Sequence, residues 1–116
     1  MRKFIYAILS GRPDPEKLKS LFSGMKGIAE AELAVITFNQ ISAVMSDIER
    51  IDSVVNQTNA LIFAHLIEML ELQYPLLPMR FGSVMESSGS VLNMLENNYS
   101  EFCQGLLKVE NRSEFG

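Results

Sequence analysis

The chain has no tryptophan, one histidine and one cysteine in 116 residues. Each scarcity removes a class of function. With Cys103 alone, no internal disulfide framework forms and no cysteine cluster holds a metal. His65 has no second histidine or cysteine at ligand spacing, so a zinc-type site lacks its usual donors. Basic residues are also few: ten Lys and Arg face fourteen Asp and Glu, for a net charge of −4. That balance, with no local Lys/Arg cluster, argues against nucleic acid, whose recognition rests on phosphate neutralisation. No apolar run approaches the ~20 residues of a membrane-spanning helix. The apolar stretch at the N-terminus is short and meets Gly11-Arg12-Pro13-Asp14 without a small-residue cleavage pattern, so it reads as a strand and not a signal peptide. A cytoplasmic protein without membrane contact is expected. Gly24-Met25-Lys26-Gly27 lacks the spacing of a phosphate-cradling loop, and no cofactor is expected.

What is present is a globular composition, 47% apolar and 21% charged, in a chain of single-domain length. Residues 3–9 are rich in aromatic and branched types and read as a central first strand. Asp14-Pro15-Glu16 is a helix start, with Asp as N-cap and Pro at the first helical position. Leu18, Leu21 and Phe22 supply that helix's apolar stripe, and Gly24 its stop. Residues 32–38 and 41–46 flank Asn39-Gln40 as a β-hairpin; in its second strand Ile41, Ala43 and Met45 oppose Ser42, Val44 and Ser46. A helix is expected over about 54–73, with Leu61, Ile62, His65, Leu66, Met69 and Leu70 on one apolar face. Tyr74-Pro75 ends it.

Residues 76–85 read as a fourth strand, at a sheet edge or bulged, because Pro78 cannot donate to a ladder. Val91, Leu95, Tyr99, Phe102 and Leu106 recur at spacings of four and three, giving a last helix over about 90–107. The order is β-α-β-β-α-β plus an extra C-terminal helix. That is an α+β, ferredoxin-like arrangement, with a four-stranded antiparallel sheet and both main helices on one face. The extra helix then covers the open face or meets a partner.

Catalytic chemistry finds little support. His65 reads as a packed helix histidine and Cys103 as a small hydrophobe. The acids are scattered, with no evident acid/base couple. The third strand, Ile41 to Ser46, has neither the aromatic nor the basic residues of an RNA-recognition sheet. A small ligand-binding or enzymatic ferredoxin-like domain, dimeric through its open sheet face, remains the alternative; it needs a polar pocket near His65.

The distinctive stretch is Leu77-Pro78-Met79-Arg80-Phe81-Gly82-Ser83-Val84-Met85. Gly82 implies a bulge or bend, and five guanidinium donors on Arg80 need partners if buried. This stretch resembles the signature of the gas vesicle GvpF/GvpL family, with Ser83 where Thr is usual and Met85 where Phe is usual. Tyr6-Ala7-Ile8, the hairpin segment Ile41–Ser46, and His65 in the helix before the signature also resemble that family, as does Glu114-Phe115-Gly116, where family members pass toward another strand.

The resemblance covers residues 1–116 as one ferredoxin-like domain similar to the N-terminal domain of GvpF/GvpL, with the family's second domain absent. It implies a non-enzymatic accessory or minor structural protein of gas vesicle assembly, cytoplasmic and gas-vesicle associated. Its partners would be the hydrophobic shell protein GvpA and other gas vesicle proteins, and self-association is compatible with the reading. Partner-binding residues expected on the fourth strand and last helix are Pro78, Met79, Arg80, Phe81, Gly82, Tyr99 and Phe102. Met69, Met79, Met85 and Met94 lie near that region, as core or as an adaptable surface.

Overall fold

A computed structural model describes residues 2–49 and 55–115, the side chains of 111–115 excepted. The expected start of the long helix at residue 54 and Gly116 lie outside the described residues. Strand β1 (Arg2–Ser10) leads to helix α1 (Pro15–Phe22), a short 3-10 turn (Ile28–Glu30) and the hairpin β2 (Leu33–Phe38) and β3 (Ile41–Ile48). Helix α2 (Gln57–Glu71), strands β4 (Leu76–Pro78) and β5 (Val84–Met85), and helices α3 (Ser88–Asn97) and α4 (Tyr99–Phe115) follow. The sheet runs β2-β3-β1-β4, with β5 also on β1 and every pairing antiparallel. This is the ferredoxin-like order with a central first strand.

Local chemistry sets the element ends. Asp14 caps α1 by accepting from the Glu16 amide at 3.1 Å, and Asn56 caps α2 through the Asn59 amide at 2.8 Å. Asn39 takes φ +50 at the hairpin turn, a left-handed angle that Asn tolerates better than most residues. Gly24 stands in the turn after α1 without a left-handed angle, and the helix ends at Phe22 with Ser23 as its cap.

The sheet is covered on both faces. Phe4, Tyr6, Ala7, Leu9 and Val44 pack against α2 through Leu66, Ile67 and Leu70. Ile5, Ile8, Ile41, Ala43 and Met45 pack on the opposite face against Val91 and Leu95 of α3 and Leu106 of α4. A register shift between Ile5 and Ala7 puts Tyr6 and Ala7 on the same side of β1. The more polar face of β3 is buried too. There Ser46 is hydrogen-bonded to Tyr6 Oη at 2.6 Å, and the Ile28 amide donates to the same oxygen at 2.9 Å. Because Tyr6 Oη accepts from Ile28, its own proton is free for Ser46. Burial raises the Tyr6 pKa, and these two bonds partly oppose the rise.

Three expectations need correction. The single fourth strand is two short pieces. The single extra helix is two helices, parted at Asn98, whose side-chain amide donates to the Met94 carbonyl at 3.0 Å. On α2, Leu61 faces outward at 66% exposure and His65 is exposed too, while Phe63 and Ile67 turn toward the core.

Candidate functional site

The signature residues form an excursion in the rim strand. Leu76, Leu77 and Pro78 pair with Leu9, Ile8 and Ala7. The Met79 amide then donates to the Tyr6 carbonyl at 2.9 Å, and the Ile5 amide donates to the Ser83 carbonyl at 2.9 Å. Val84 and Met85 resume pairing with Phe4 and Lys3. Arg80, Phe81 and Gly82 are therefore looped out between two backbone anchors on consecutive residues of β1.

The loop is shaped by its own chemistry. The Arg80 carbonyl accepts from the Ser83 amide at 3.0 Å and from Ser83 Oγ at 2.6 Å. Gly82 has φ +95, the left-handed angle that the third position of such a turn requires. Phe81 folds back inward, with ring centroids 5.9 Å from Phe4 and 5.4 Å from Phe63. Arg80 goes the other way. It is exposed, and its guanidinium has no hydrogen-bond or ion-pair partner among the described residues.

Around this loop the surface is mixed. Pro78 is exposed, and Met79 lies half-buried against the α3–α4 side of the sheet. A groove beside β4 is lined by Leu72, Tyr74, Pro75, Leu76, Pro78 and Val109 of α4. Gly105 lets α4 approach β4 closely, since a Cβ there would meet Leu77 Cδ1 at 2.8 Å. Ser10 Oγ donates to Glu110 Oε1 at 2.9 Å and ties α4 to the end of β1.

The expected site residues do not all converge. Pro78 to Gly82 are contiguous on the excursion, and Phe102 packs on the same sheet face as Met79. Tyr99 sits at the β2–β3 hairpin instead, edge-on to Phe38 at 5.6 Å and accepting from the Gln40 amide at 3.3 Å. Met69, Met79, Met85 and Met94 are all half-buried. His65 borders a shallow groove with Gly24, Met25, Lys26, Leu61, Ile62 and Leu66, where Lys26 is the only other titratable side chain. Among the described residues, no three His, Cys, Asp or Glu side chains are grouped to hold a metal. Sequence reasoning missed the Phe4–Phe63–Phe81 cluster that holds the loop's base; the paired aromatics at 63 and 81 were its available signal.

The antiparallel strand order, the helices on both faces and the broken rim strand that turns Arg80 outward define a ferredoxin-like α+β domain. Residues 2–116 match the family described as gas vesicle synthesis protein GvpL/GvpF, and the chain belongs to that family. The crystal structure of GvpF from Anabaena sp. PCC7120 is similar over 92% of this chain, at 17% identity and a TM-score of 0.75. GvpF from Microcystis aeruginosa is similar over the same share, at 18% identity and a TM-score of 0.70. This chain spans 43% of the length of each. Among curated proteins, none matches it.

Proposed function

We propose that the chain acts in the cytoplasm as a non-enzymatic gas vesicle assembly protein that docks the hydrophobic shell protein GvpA, and other gas vesicle proteins, on the Pro78–Gly82 excursion and the adjoining α4. Family membership supports the gas vesicle role. One observation carries the docking surface: Arg80 stands exposed, without a hydrogen-bond or ion-pair partner among the described residues, on a loop anchored at both ends. The backbone that carries Arg80 is held at both ends, so the loop itself loses little freedom when the planar fork meets a carboxylate or a backbone carbonyl. Leu72, Pro75, Pro78 and Val109 in the groove beside β4 offer apolar area to an apolar client. Among the described residues no helix is long and apolar enough to cross a membrane.

The test is binding of the purified chain to the shell protein by calorimetry or co-sedimentation, with Arg80→Ala alongside. The expected result is weaker binding, about tenfold or more, with an unchanged melting temperature. Equal affinity for both proteins would refute the assignment of this loop.

A further inference from the structure

The opposite rim of the sheet has a different character. Strand β2 is terminal in the sheet order, so one row of its backbone amides and carbonyls faces outward without a strand. It runs unbroken from Leu33 to Phe38, as Leu-Ala-Val-Ile-Thr-Phe. No proline, lysine, bulge or charge interrupts it, and those are the devices that keep rim strands from pairing. Beside it runs a groove floored by Leu18, Phe22, Met25, Leu33 and Val35.

From these features we infer that β2 pairs with β2 of a second copy of this chain, joining two sheets into one. The charges at the two ends of the strand select that occupant. Glu32 precedes β2, exposed and without an ion-pair partner among the described residues. Arg12 sits at the other end, its Nε donating to the Asn39 carbonyl at 2.8 Å and its remaining donors without a partner among the described residues.

A two-fold axis perpendicular to the sheet runs the two strands antiparallel and keeps α1 on the same side in both copies. Like faces then meet, which requires the axis to pass at a residue and not between two; the central choices, which pair the most of β2, are Val35 and Ile36. In the first register Glu32 faces the partner's Phe38, and in the second the partner's Gln40. Both neighbour the Asn39 that Arg12 holds. Either way Glu32 of each copy comes beside Arg12 of the other, and symmetry makes the contact twice. An unrelated strand would have to bring both charges in the same spacing; a second copy has them already. This inference is independent of the shell-protein reading, because it uses the other rim.

Sedimentation velocity across a wide concentration range tests it. The expected behaviour is a reversible dimer. Arg12→Glu and Glu32→Arg each weaken the dimer about tenfold, the change being repeated by symmetry, and the double variant restores it. Ala34→Lys, at an exposed position that the monomer tolerates, abolishes dimerisation by placing lysine on the rim. Amides within 33–38 become protected from hydrogen exchange as concentration rises. A chain that stays monomeric at its highest soluble concentration overturns the inference. So does a dimer indifferent to Ala34→Lys and to the charge reversals, or one that leaves the β2 amides unprotected.

Discussion

The two rims of this sheet solve the same problem in opposite ways. The β4–β5 rim is short, carries Pro78, is broken by the Arg80–Gly82 loop and lies beside α4. The β2 rim is continuous, uncharged and open. A broken rim offers side chains on a fixed loop, and a continuous rim offers backbone. The first suits recognition of a particular surface, the second suits addition of a strand. That contrast depends on where each rim is rooted in the core.

The largest expected effect strikes the root of β2. A Cβ on Gly27 would lie 2.4 Å from Tyr6 Oη and 3.2 Å from Ser46 Oγ. Gly27→Ala is therefore expected to push the buried hydroxyl off its partners and cost about 3–4 kcal/mol in urea unfolding. If it is neutral, the β2 rim is not held through Tyr6. Next, Leu106→Ala should cost about 3 kcal/mol by leaving a cavity under α4. Hydrogen exchange should then rise along β4 and not along β2. Equal loss at both rims would break the comparison.

A smaller effect concerns alkaline pH. Burial raises the folded-state pKa of Tyr6 above its ordinary 10.0. Folding thus favours the neutral phenol. The resulting stability is fully present below pH 10 and is lost as pH rises through the raised value. Tyr74 shifts the same way, from burial and then Asp14. Tyr6→Phe should lower stability by about 2 kcal/mol at neutral pH, because the Ile28 amide loses its acceptor, and should flatten the decline above pH 10. An unchanged alkaline slope would show that Tyr6 does not couple β1 to the root of β2. The smallest effect is at the loop: Gly82→Ala, at φ +95, is expected to cost about 1–2 kcal/mol by thermal unfolding. A neutral result would mean that the loop is not fixed by its turn.

Much of this fold can be read from the chain. Asn39-Gln40 between two branched runs locates the hairpin, and Asp14-Pro15 locates α1. Pro78 and Gly82 together announce an irregular rim. Other features leave weak traces. Val91, Leu95, Tyr99, Phe102 and Leu106 keep helical spacing straight through Asn98, so the break between α3 and α4 is invisible to periodicity. Helix α2 carries apolar residues on nearly every side. Spacing alone therefore does not tell Leu61, which faces outward, from Phe63 and Ile67, which face inward. Ser42 and Ser46 suggest a solvent face on β3, yet Tyr6 and Thr37 satisfy them from within the fold. Ala29 and Glu30 adopt φ +60 and +59 in the turn before β2, and nothing in their residue types announces it.

Helical cover on both sides of the sheet has a consequence for encounters. Helices α1 and α2 occupy one broad surface of the slab and α3 and α4 the other, so any contact made by the sheet itself must come in from the side. Two such approaches exist, roughly opposite each other. Neighbours that arrived at the two flanks would not obstruct each other.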